Sequence, residues 1–74
     1  MTDTIFTAAH DREARVSADR QRITHRAGAW SATYTPEELV RWLAFYEQQA
    51  AKKVSPTYDA DVEVLRKARA LVAP

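Results

Sequence analysis

The stretch ITHRAGAWSATYTPEEL, residues 23–39, decides the fold, because its hydrophobic period changes at Thr35. Trp30, Ala32 and Tyr34 alternate with Ser31, Thr33 and Thr35. A period of two rich in aromatics and threonine marks a strand. Thr35-Pro36-Glu37-Glu38 then reads as a helix start. The Thr35 hydroxyl can cap the helix, Pro36 fits a first helical position whose N–H is unused, and Glu38 stands three residues on to close a capping box. Glu37 and Glu38 also favour the positive end of the helix dipole. Leu39, Val40, Trp42, Leu43, Phe45, Tyr46 and Ala50 follow at helical spacing. The pattern predicts a helix over residues 36–53, ending on Lys52 and Lys53.

Working backwards from Trp30, Gly28 is the only glycine in the chain. A turn centred on Ala27-Gly28 pairs Arg26 with Ala29, His25 with Trp30 and Ile23 with Ala32. That register gathers Gln21, Ile23 and His25 on the face of Trp30, Ala32 and Tyr34, as a single buried face requires. Residues 20–35 therefore read as a β-hairpin. Working forwards, Ser55-Pro56 opens a second helix over residues 56–72, with Thr57 as the competing cap. Asp59, Asp61 and Glu63 load its start, and Arg66, Lys67 and Arg69 its end. Asp61, Val64, Leu65, Ala68, Leu71 and Val72 share one face, apolar but for the aspartate. The short linker makes the two helices an αα-hairpin.

Residues 1–19 are less patterned. Ile5, Phe6, Ala9 and Val16 form the sparse apolar face of a helix from about Thr4 to Ala18, or the segment is an arm that orders against a partner. The expected fold is α+β in one small domain, residues 1–74: a two-stranded antiparallel hairpin with two C-terminal helices, and a helix or arm at the N-terminus. The expected core is Ile23, Trp30, Tyr34, Leu39, Leu43, Tyr46, Leu65, Ala68 and Leu71.

A domain of 74 residues buries a small core, so it is marginal without a disulfide, a metal or a partner. It has no cysteine and two histidines, too few for an ordinary structural zinc site. Support from another protein or a second copy remains. The net charge of +1 gives no global pull toward nucleic acid or an anionic membrane. No apolar run approaches the roughly 20 residues of a membrane span. The first residues lack the pattern of a secretory signal. A cytoplasmic protein, or a virion component, is expected.

Four features bear on function. Arg20, Arg22, Thr24 and Arg26 alternate onto the outer hairpin face beside Ser31 and Thr33. They make either a strip for phosphates or an acidic protein, or a solvated face guarded by charge. The first helix carries an apolar arc of about 220°, against roughly 100° for a one-sided surface helix. Either neighbours cover both sides, or an aromatic edge at Trp42 and Phe45 is left for a partner. Asp59, Asp61 and Glu63 lack the loop of a calcium site and read as dipole compensation. His10-Asp11 matches a metal-binding dipeptide of phosphohydrolases but has no companion ligands, and His25 is expected to pack against Trp30. There is no phosphate-cradling glycine loop and no nucleophile elbow. No catalytic, cofactor or metal residue is therefore assigned, and the partner-binding candidates are Arg20, Arg22, Arg26, Trp42 and Phe45.

Residues 20–35 followed by Pro36-Glu-Glu-Leu-Val-Arg-Trp-Leu43 resemble the W family of head–tail joining proteins of tailed phages, over roughly residues 20–50. The resemblance implies an N-terminal helix, a two-stranded hairpin and a second helix. It also implies a place in a portal or neck ring, with contacts from neighbouring subunits and DNA. In this chain a helix stands where that family has a basic flexible tail. The leading expectation is a non-enzymatic phage-type structural or adaptor protein. The alternative is a small phage- or plasmid-encoded inhibitor, of anti-CRISPR or polymerase-binding type. A third is a nucleic-acid-binding accessory protein that uses the hairpin arginines.

Overall fold

The computed structural model describes residues 2–72. Four strands, β1 (Thr4–Ala8), β2 (Arg12–Val16), β3 (Ile23–Ala27) and β4 (Trp30–Tyr34), precede two helices, α1 (Pro36–Ala51) and α2 (Thr57–Val72). The strands form one antiparallel sheet in the order β1-β2-β3-β4. The α+β class stands, but the two-stranded hairpin is corrected to a four-stranded meander, and the expected N-terminal helix or arm is itself a hairpin, β1–β2, the first of two.

That first hairpin turns without glycine. The Arg12 N–H donates to the Ala9 carbonyl across His10 and Asp11, which sit at φ 61° and 57°. Two successive positive φ values are what a type I′ turn needs, and His and Asp tolerate that region better than most residues. Turn geometry thus accounts for the His10-Asp11 dipeptide. Among the described residues no three His, Cys, Asp or Glu side chains group to hold a metal. The inward set also differs from the helical reading. Phe6 and Val16 face in, but so do Arg12 and Ala14, while Ile5 lies exposed.

The second hairpin keeps its faces and shifts its register by two. Ala27 pairs with Trp30, His25 with Ala32 and Ile23 with Tyr34. Gly28, at φ 62°, is the first residue of a Gly28-Ala29 loop, where a type II′ turn places glycine. A turn on Ala27-Gly28 puts alanine there instead. Parity is unchanged by a shift of two, so Ile23, His25, Ala32 and Tyr34 share the inner face as the apolar pattern demands.

Thr35 caps α1 as its sequence predicts. Its hydroxyl accepts from the Glu38 N–H at 3.2 Å, and the Glu38 carboxylate accepts from the Thr35 N–H at 3.0 Å. Those bonds hold the Glu38 carboxyl below the usual carboxylate range. Thr35→Ala should cost about 1 kcal/mol in urea denaturation, with an unchanged m-value. Before α2, the Ser55 hydroxyl accepts from the Thr57 N–H at 3.3 Å, so Ser55 is the cap.

Helix α2 lies across β1, β2 and β3, while α1 packs against α2 and meets the sheet mainly at β4. Between them are Ala14, Val16, Ile23, Tyr34, Leu39, Leu43, Val62, Val64, Leu65 and Ala68, all buried. Of the expected core, Tyr46 and Leu71 are only half-buried, and Trp30 is 49% exposed. Trp30 shares the inner face beside His25, at the hairpin end of β4.

Candidate functional site

Two polar residues sit where the core pattern calls for apolar ones. His25 is fully buried on β3 and Asp61 is 3% exposed on α2. The His25 Nε2 lies 2.7 Å from Asp61 Oδ1, and the Arg12 Nε donates to the same oxygen at 2.9 Å. Arg12 Nη1 donates to the His10 carbonyl at 2.6 Å. The other imidazole nitrogen, Nδ1, lies 3.4 Å from the Tyr34 hydroxyl. This knot ties β2, β3 and β4 to α2. A buried carboxylate and guanidinium persist only when paired and hydrogen-bonded, and among the described residues no buried side-chain polar atom lacks a partner.

An aromatic shell surrounds the imidazole. Trp30 and Tyr46 meet His25 edge-on, with centroids 5.5 Å and 5.2 Å away. Tyr34 stacks on Trp42 at 5.8 Å, and Phe45 contacts both Trp42 and Tyr46 edge-on. The chain of ring contacts therefore runs from the buried histidine to the surface. It emerges as Trp30, Trp42 and Phe45, which are 49%, 43% and 41% exposed. Val40, on the same helix, is also exposed.

Burial raises the Tyr34 and Tyr46 hydroxyls above their ordinary range. The next contribution is Tyr46 for Tyr34, and Asp61 for Tyr46. Both remain neutral phenols when folded, whereas the unfolded chain ionises near pH 10. Above that pH the unfolded state binds fewer protons than the native one, so stability is full below it and falls as pH rises. Thermal melts should show the melting temperature dropping above about pH 10, with a shallower drop in Tyr34→Phe.

The sequence-derived candidates divide. Trp42 and Phe45 come together on the exposed edge, and His25 does contact Trp30. The arginines do not form a strand-borne strip. Arg20 and Arg22 lie in the β2–β3 connection, Arg20 at φ 59°, and only Thr24 and Arg26 belong to β3. Arg26 reaches Glu13 at 3.4 Å, and Arg20 donates to the Leu71 carbonyl at 3.5 Å. Glu13 faces outward beside Arg15 and opposite Arg26, which breaks the positive run. Sequence reasoning missed Arg12 and Asp61 as a pair. The available signal was an acid on the apolar face of α2 together with a histidine on the apolar face of β3.

Comparison with protein-family models, with curated proteins and with solved structures finds no match. Among the described residues no helix is long and apolar enough to cross a membrane.

Proposed function

We propose that this chain is a small, non-enzymatic protein–protein interaction module whose contact face is the edge formed by Trp30, Trp42 and Phe45. The observation that carries the reading is the simultaneous exposure of these three large rings on one connected aromatic chain. Scattered surface apolar residues need no explanation, but Trp42 and Phe45 are exposed in direct ring contact. Trp in particular is enriched among residues that dominate binding energy. The rings are also held in place from beneath, which lowers the entropy lost when a partner covers them.

A non-catalytic role is supported by the knot's geometry. The His25 ring has no exposed surface, and both its nitrogens already face polar partners. A general base needs a free nitrogen within reach of a substrate proton.

The phage-type adaptor and the host-complex inhibitor both belong to this class and separate on self-association. An adaptor that joins neighbouring copies gives a concentration-dependent mass in sedimentation equilibrium, and Trp42→Ala returns it to the monomer. An inhibitor stays monomeric and forms a stoichiometric complex that Trp42→Ala abolishes. A monomer whose partner binding is untouched by Trp42→Ala and Phe45→Ala contradicts the proposal. The nucleic-acid reading draws no support from arginines that are dispersed and partly paired.

A further inference from the structure

A concave surface lies beside Phe45. It has a volume of about 380 Å³ and is lined by Arg12, Phe45, Tyr46, Val54, Tyr58 and Asp61, with Ala27, Ser55 and Thr57. That volume falls in the range of small-ligand sites. We propose that this cleft binds a protonated primary amine, with Asp61 as its counter-ion and Phe45, Tyr46 and Tyr58 as its aromatic wall.

The argument starts at the carboxylate. Asp61 is nearly fully buried, and both of its hydrogen bonds enter at Oδ1. Among the described residues Oδ2 accepts none, yet it is not sealed away, since no buried side-chain oxygen there is left without a partner. That oxygen is open to a further donor from the cleft. The walls add a preference for cations. Tyr46 and Tyr58 lie 5.9 Å apart in a tilted pair, and Phe45 meets Tyr46 edge-on. Aromatic faces gathered beside an acid attract ammonium groups.

Two positive groups oppose this arrangement. Arg12 shares the cleft, but its guanidinium is turned to Oδ1 and to the His10 carbonyl. The start of α2 also borders the cleft. Its first amides are already used: Thr57 N–H donates to the Ser55 hydroxyl, Tyr58 N–H to the Ser55 carbonyl and Asp59 N–H to the Pro56 carbonyl. Asp59 offsets the dipole in the first turn.

An amine of this kind is either a free alkylamine or a lysine side chain of another protein. Titration with n-butylammonium chloride, followed in ¹H–¹⁵N spectra, should give saturable shifts at the Tyr46, Tyr58 and Asp61 amides, and neutral 1-butanol should not. Nα-acetyl-lysinamide shifting the same amides points to a lysine side chain; butylammonium alone doing so points to a free amine. Tyr58→Leu should weaken binding by about fivefold, and Tyr58→Phe should preserve it. Tyr58 lies outside the Trp42 edge, so this result is independent of the proposed contact face. Equal shifts with 1-butanol, shifts that never saturate, or undiminished affinity in Tyr58→Leu would overturn the proposal.

Discussion

Asp61→Ala should lower stability by about 3–5 kcal/mol, the cost of breaking a buried ion pair from one side. The substitution strands Arg12 at 18% side-chain exposure and removes the oxygen that faces the His25 Nε2. A domain of this size has that much stability in total, about 5 kcal/mol at the low end of the usual range. The variant should therefore unfold at very low guanidinium or be unfolded in water. Asp61→Asn keeps the shape and one acceptor, and should fall between the wild type and Asp61→Ala. The informative variant replaces the ion pair and the imidazole: Arg12→Met, His25→Leu and Asp61→Leu together. Removing both charges and the imidazole at once leaves no unpaired buried charge, so the triple variant should recover most of the lost stability. A triple variant as unstable as Asp61→Ala would mean that the knot supplies net stability rather than fixing how α2 sits on the sheet.

Trp42→Ala and Phe45→Ala should each weaken partner binding by about thirtyfold, or about 2 kcal/mol, the range of residues that dominate an interface. Each ring is about half exposed when the chain is alone, so each has surface left to bury. Part of the Trp42→Ala effect should reach stability, because Trp42 stacks on the buried Tyr34. The two consequences separate in one pair of measurements. Sedimentation or calorimetry reads the association constant, and denaturant titration reads the fold. Phe45 meets the exposed Trp42 and the half-buried Tyr46, whereas Trp42 stacks on the buried Tyr34, so Phe45→Ala should lose binding with the smaller change in midpoint. Arg22→Ala, in an exposed part of the β2–β3 connection, should leave both unchanged. Loss of binding in Arg22→Ala with none in Phe45→Ala would move the contact face to the arginines.

Where the sequence was legible, local chemistry was strong. Thr35 and Glu38 specify the start of α1 through two bonds that need no tertiary help, with Pro36 in the first turn, and both bonds form. The faces of β3 and β4 followed from parity, although the turn moved the register by two. The first hairpin was hidden for two physical reasons. Its turn relies on His10 and Asp11 at positive φ in place of glycine. Its inner face also includes Arg12 and the small Ala14, so the apolar alternation is faint. The exposed Trp42 and Phe45 edge was foreshadowed by an apolar arc too wide for one neighbour. The knot was harder to see. An aspartate near a helix start has an adequate local explanation in the dipole, and that explanation conceals a partner 36 residues away. Asp61 and His25 each interrupt an apolar face, and two such faces that must pack together can satisfy one another.

The knot itself is open to direct observation through the His25 ring. A long-range ¹H–¹⁵N spectrum should show a proton on Nε2, held by Asp61 and slow to exchange with water, set apart from the exposed His10 ring. A His25 ring whose Nε2 proton exchanges as fast as that of His10 would contradict a buried imidazole clasped between the sheet and α2.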